Sequence, residues 1–344
     1  MKNLQNIIIF VLVIGIVAYA LLDKLESKKA SIINQEVKYE YETFNIELPK
    51  EFYFCGEEVP LTEPDISEKL DRELHSNVFF HSHTFLVLKR ANRWFPKIEA
   101  ILAKHGLPDD LKYLVVTESS LSNVVSPVGA TGFWQIMPVT GKEFGLEINK
   151  EVDERYDPIK STEVACRYMK QAYKKFGSWT LVAASYNMGI SGVSRQLKKQ
   201  KVSSYYDLAL NSETARYVFR AMAIKEIFEN QEKYKFELKG KQLYYEEEVQ
   251  EVEVSQNINS LVDFALSLGI NYKLLKLHNP WLVGNKLTIK QKGQTYKLKI
   301  PYVDGSMGDE HMTSELSVST SDQDSTLPDM HAVVNADSTP APLE

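Results

Sequence analysis

Cysteine is nearly absent, with only Cys55 and Cys166 in 344 residues, which excludes a disulfide scaffold and any cysteine-rich zinc module. The two could pair outside the cytoplasm, but separate thiols are the plainer reading. Cys166 falls in a helical pattern, where a small buried residue is common. Basic clusters are missing as well. The formal net charge is -6, and nine acidic residues with no Lys or Arg follow Pro301. The first 301 residues are therefore close to neutral, at a formal +3. No basic helix, zinc-finger spacing or aromatic RNA-binding signature stands out, so a nucleic-acid partner is not expected. A phosphate loop is excluded too: Gly141-Lys142 is followed by Glu143, and the upstream glycine is lacking. His75, His81 and His83 have neither cysteines nor a ligand spacing nearby and read as loop histidines rather than a metal site.

Long hydrophobic runs are scarce. The one example, Ile7 to Leu22, lies between Lys2 and Asp23-Lys24. It is slightly longer than a signal-peptide core and slightly short of a comfortable membrane span. Its apolar residues face every side, which argues against a soluble helix. Ala18-Tyr19-Ala20 would fit a cleavage site, although no polar region separates it from the run. Residues 1–23 thus read as a signal peptide or, preferably, an uncleaved anchor. Either places the rest of the chain outside the cytoplasm.

Residues 24–83 are mixed and polar, with Pro49, Pro60 and Pro64 as breakers. They read as a connector that wraps or leads into the first domain. From Thr84 the apolar spacing turns helical, over 84–105, 109–118, 158–176, 181–188, 192–199 and 213–228. Asp157 is placed to cap the third of these. No strand series interrupts them, so this region is mostly α. After Lys241 the pattern predicts a strand (247–255), two short helices (260–268 and 272–278) and strand-like segments at 287–289 and 296–300. That makes a β-α-α-β unit over 242–301. Residues 302–344 are rich in Ser, Thr, Asp and Pro and are expected to be a disordered acidic tail.

Leu111, Leu114, Val115 and Glu118 follow i, i+3, i+4, i+7 spacing, which sets a carboxylate on an apolar helix face. Burial there raises a carboxyl pKa, as a general acid at neutral pH requires. The alternative is that the helix ends and Glu118 turns to solvent. Downstream, the small residues from Ser126 to Gly132 would let a bulky ligand approach the backbone. Phe133-Trp134-Gln135 then offers flat apolar surface beside an amide, suited to a sugar ring, though aromatics there could equally be core.

Four motifs stand in order: Glu118-Ser119-Ser120, then Gly132 to Pro138 (GFWQIMP), then Ser185 to Gly189 (SYNMG), then Glu213-Thr214 with Tyr217-Val218. In that order the chain resembles the lytic transglycosylases, the goose-type-lysozyme-like enzymes of glycoside hydrolase family 23, most closely their membrane-bound murein transglycosylase D group. The resemblance covers roughly Asp109 to Lys225. It implies a lysozyme-like helical catalytic domain (84–235) that cleaves peptidoglycan strands in the periplasm without cofactor or metal. Glu118 would be the acid and base, and Ser119 would orient it or the substrate. Phe133, Trp134, Gln135, Met137, Tyr186, Asn187, Glu213 and Tyr217 would line the sugar groove. Ser185 stands where the family usually has alanine, and Phe133-Trp134 where many relatives have Leu-Met.

The implied reaction is substrate-assisted, so one carboxylate suffices. Asp153, Asp157 and Glu143 are the other carboxylates considered; one activating water would make the enzyme a lysozyme-type hydrolase. The unit over 242–301 resembles a divergent LysM domain through Leu261, Ala265, Leu274, Leu277, Asn279 and Ile300-Pro301. Asn257-Ile258-Asn259 replaces its usual Gly-Asp turn. Glycan binding or a purely structural role are both open for it. For the whole chain, an inactive wall-binding module and a protein scaffold are the rival readings.

Overall fold

The computed structural model describes residues 15–25 and 44–302. The expected acidic tail, apart from Tyr302, and the first half of the apolar run lie outside the described residues. Its second half forms α1 (15–25), whose residues are all exposed. Among the described residues no helix is long and apolar enough to cross a membrane.

The described part of the segment read as a connector, from residue 44 to 83, is part of the main core. Its tight hairpin, β1 (Tyr53–Phe54) and β2 (Glu57–Glu58), turns at Cys55 and Gly56, both at positive φ, as a two-residue hairpin turn requires. Cys55 N–H donates to Asp110 Oδ2 at 2.6 Å. Pro64, expected to break structure, opens helix α2 (Pro64–Phe79) instead, because the first turn of a helix needs no donor there. Ile66, Leu70, Leu74 and Val78 recur at helical spacing and are fully buried. The Glu57 carboxylate accepts from the backbone of Trp179 and Thr180, so the hairpin caps a helix more than a hundred residues away.

The remaining helices follow the sequence pattern closely, except α5, which it did not anticipate. They are α3 (His81–Lys104), α4 (Lys112–Ser119), α5 (Pro138–Glu143), α6 (Pro158–Phe176), α7 (Trp179–Met188), α8 (Ile190–Gln200) and α9 (Ser212–Glu229). Asp157 Oδ1 accepts from the N–H groups of Ile159 and Lys160, and Gly177 at φ 64 ends α6. Helix α9 packs on α2, α4 and α7. Those contacts bring the C-terminus of α4 against the middle of α9. Cys55 and Cys166 are both unpaired. Burial pushes the Cys166 thiol up to about 12. The histidines expected in loops are helical: His75 is in α2, and His81 and His83 open α3.

The second unit consists of β3 (Val249–Val254), α10 (Leu261–Ser267), α11 (Tyr272–His278) and β4 (Tyr296–Pro301). β3 pairs antiparallel with β4, from Val249 opposite Pro301 to Val254 opposite Tyr296. The expected strand at 287–289 is a single bridge from Leu287 to Ile258. Asn279 is fully buried. It donates to the Leu275 and Lys299 carbonyls and accepts from Lys299 N–H, tying α11 to β4.

The two units are joined by more than their linker. Val152 pairs with Leu282 and is buried in the second unit's core. Glu151 accepts at its side chain from Thr288 N–H (2.9 Å) and Thr288 Oγ1 (3.2 Å). A Cβ on Gly284 would stand 2.9 Å from Glu151 Cα, so glycine is what permits that approach.

Candidate active site

Leu111, Leu114 and Val115 are fully buried, and the next position on that stripe is Glu118, half-buried at the last turn of α4. The chain leaves the helix through two left-handed residues, Ser120 (φ 54) and Leu121 (φ 57). Such geometry is uncommon outside glycine and clusters at functional turns. Tyr217, on the facing side of α9, donates its hydroxyl to Glu118 Oε1 at 2.6 Å. Burial pushes the Glu118 carboxyl up to about 7; the Tyr217 bond and Arg220 pull it down without reversing that, and Glu213 adds to the rise. Near neutral pH the group holds a transferable proton, as a general acid must.

Glu213, Tyr217 and Arg220 share one face of α9 at i, i+4 and i+7. Arg220 lies 3.9 Å from Glu73, a buried carboxylate that also accepts from Arg216 at 2.7 Å. Asn187, at the end of α7, accepts from Thr214 Oγ1 at 2.7 Å and donates to Glu213 at 3.4 Å. Thus Glu118, Tyr217, Glu213 and Asn187 are gathered by three helices. Tyr186 completes the cluster: its ring meets Trp134 and Tyr168 edge-on. Its hydroxyl donates to the Trp134 carbonyl at 2.9 Å.

Three expected site residues have other work. Trp134 is fully buried, and its indole N–H donates to Thr162 Oγ1 at 2.8 Å. It is a core residue whose backbone carbonyl, not its ring, serves the site. Phe133 is 3 % exposed and packs edge-on against Trp94. Ser119 is buried and directs its hydroxyl to the Val115 carbonyl, so it steadies the helix end rather than facing a ligand. Ser185 is also buried and donates to Val182 O at 2.8 Å, which satisfies a hydroxyl that alanine would lack. Met137 remains accessible, at 40 % exposure.

Gln135 holds the loop itself. At φ 46 its amide donates to the Val124 and Gly132 carbonyls, at 2.9 and 2.8 Å. Below it lies Arg155, which sequence reasoning missed. Its guanidinium donates to the Gly129 and Ile136 carbonyls and pairs with Asp153 at 2.7 Å. Gly132 crosses Arg155 so closely that a Cβ would stand 2.0 Å from the Arg155 carbonyl oxygen. Asp153 is thereby committed to Arg155 and Asp157 to capping α6, while Glu143 is exposed on α5.

Residues 96–208 match the family described as the transglycosylase SLT domain, and residues 250–304 the soluble lytic transglycosylase C-terminal LysM-like domain. The chain is 30% identical over 190 residues to the membrane-bound lytic murein transglycosylase D of Escherichia coli K12, covering 53% of this chain and 41% of that one. The same figures hold for the protein of that name from Escherichia coli O6:H1. The chain therefore spans about two fifths of the length of these relatives. Among solved structures, the 70 kDa soluble lytic transglycosylase of Escherichia coli aligns at 22% identity and a TM-score of 0.35, over 44% of this chain and 26% of that one. The lytic transglycosylase Slt of Pseudomonas aeruginosa, as an inactive mutant, aligns at 22% and 0.34, with the same coverage.

Proposed function

Because the chain carries a transglycosylase SLT domain and a LysM-like domain, we propose that it cleaves the bond between N-acetylmuramic acid and N-acetylglucosamine in peptidoglycan. The observation that carries this reading is Glu118: a half-buried carboxyl raised to about 7, bonded to Tyr217. Protonated, it donates to the glycosidic oxygen as the bond breaks. The substrate's own acetamido carbonyl stabilises the charge developing at C1, so no carboxylate nucleophile is needed. Glu118, now a base, removes the proton from the C6 hydroxyl, which closes onto C1. The product ends in a 1,6-anhydro ring, and water is not consumed.

Asn187 and Glu213, joined by a hydrogen bond, would meet the sugar from the α7–α9 side. Residues 84–235, with the hairpin and α2 packed into the same core, would form the catalytic domain and 242–301 the glycan-binding one, with the run 7–22 holding both at the periplasmic face of a membrane. A second reading rests on Glu213, an exposed carboxylate close enough to raise the Glu118 pKa. If it activated water, the enzyme would be a lysozyme-type hydrolase. Clearing of purified cell walls tests the proposal: the parent chain should reduce turbidity and Glu118→Gln should not. A parent that binds walls without clearing them would be an inactive wall-binding module.

A further inference from the structure

A concavity of about 580 Å³ lies between the helical domain and the LysM-like unit. Trp94, Phe133 and the loop Leu121–Asn123 form one wall. Only Ser119 and Ser120 separate that loop from Glu118, which sets the cleft beside the candidate active site. The facing wall, from α11 and β4, carries Lys273, Lys276, Lys297 and Lys299, and Arg93 adds a cation from α3.

Two of the cleft's three carboxylates are engaged: Asp157 caps α6 and Glu246 pairs with Lys97. Glu247 lies 3.2 Å from His278 Nε2, and Lys297 lies 3.5 Å from Glu251 outside the cleft. Lys276 is held by the carbonyl oxygens of Leu282 and Gly284 rather than by a carboxylate, and burial lowers its pKa. Among the described residues neither Lys273 nor Lys299 has an acidic partner. With five cations against three carboxylates in its lining, the cleft keeps a positive excess, carried chiefly by Lys273 and Lys299.

Its aromatic rings are each already packed against a neighbouring ring. Trp281 is 8 % exposed and lies against Tyr296 at 5.6 Å. Trp94 is packed edge-on with Phe133 at 5.0 Å. Unmatched cations without an open aromatic platform fit an anion better than a neutral saccharide.

We propose that this cleft binds the carboxylate-bearing peptide stem attached to the glycan strand. The inference rests on peptidoglycan being the substrate. A strand lying across Glu118 carries its stems past the mouth of the cleft, where Lys273 and Lys299 would receive their carboxylates and Leu277 and Pro280 their methyl groups. The LysM-like unit would then serve as one wall of a composite site rather than as a loose tether.

The test compares the full-length chain with the double variant Lys273→Glu/Lys299→Glu. An acetylated Ala-D-Glu-diaminopimelate peptide is titrated onto each by calorimetry at two salt concentrations. The parent should bind, more weakly at the higher salt, and the double variant about tenfold more weakly than the parent. The KM for peptide-bearing glycan should rise by a similar factor with kcat unchanged, while glycan stripped of its stems is cleaved equally by both. Lys273→Ala/Lys299→Ala should show a smaller loss of about threefold at an unaltered melting temperature, separating lost binding from misfolding. Equal peptide affinity in parent and double variant, or no binding by the parent, overturns the proposal. If the parent cleaves no glycan of either kind, the proposed activity fails, while the peptide titration still decides the fate of the cleft.

Discussion

The Tyr217 hydroxyl and Glu118 Oε1 are 2.6 Å apart, joined across helices that are 99 positions apart in the sequence. The bond pulls against burial: it favours the carboxylate, and burial favours the acid. Burial wins, and Glu118 settles near 7.

Replacing Tyr217 with Phe removes only the hydroxyl from a ring that is 4 % exposed, so folding should survive. The Glu118 pKa should rise, because a bond that lowers it is gone. In a profile of kcat/KM against pH, the descending limb, expected near 7 in the parent, should move to higher pH. The maximum should fall roughly tenfold as the carboxyl loses its orientation. An unmoved limb would detach Tyr217 from the titrating group.

Stability should report the same carboxyl. A pKa raised from 4.5 to about 7 means the folded state holds the proton more tightly than the unfolded chain. The cost is nil below pH 4.5, grows as pH rises toward 7, and levels off above it. At full size it is about 3 kcal/mol. Glu118→Gln should therefore melt higher than the parent at pH 8, with the gap closing toward pH 4.5. Denaturation at both pH values measures it, and a constant gap would contradict the raised pKa.

Arg155 should matter out of proportion to its distance from the chemistry. Arg155→Met removes the donors to Gly129 and Ile136 and strands the buried Asp153. Breaking one partner of a buried ion pair costs about 3–5 kcal/mol. Urea unfolding should show that loss, and the glycan KM should rise as the Gln135 loop loosens. Gly132→Ala should be comparably damaging, since its Cβ would meet the Arg155 carbonyl at 2.0 Å.

The junction with the LysM-like unit should be separable from catalysis. Burial raises the Glu151 pKa, but the bonds from Thr288 and Lys286 outweigh it and hold the carboxyl below its ordinary value. Those bonds therefore stabilise the docked state above the ordinary carboxylate range and lose that effect as pH falls. Glu151→Ala should hasten limited proteolysis between residues 230 and 250. Cleavage of short soluble glycans should stay within about twofold of the parent.

Much of the helical fold was legible because its stripes are regular. Asp157 and the run Leu111–Glu118 behave as their spacing implies. The glycine, serine and aromatic loop was legible as a motif but not as geometry. Periodicity cannot tell that Trp134 turns inward to Thr162, or that Ser119 bonds its own helix. Arg220 could have been found from its i+3 spacing to Tyr217. Arg155 and Glu73 could not, because their partners lie in distant or irregular segments. Pro64 misled for a local reason, being a helix opener that reads as a breaker when no apolar stripe is weighed beside it.

The mass of the products decides the central chemistry. Purified peptidoglycan is digested with the parent chain and with Glu118→Gln, and the released fragments are weighed by mass spectrometry. The parent should release muropeptides ending in 1,6-anhydro rings, each lighter by one water than its hydrolysed counterpart, and Glu118→Gln should release at least a hundred- to ten-thousand-fold less. Fragments with free reducing ends from the parent would make it a hydrolase, and undiminished release by Glu118→Gln would place the acid elsewhere.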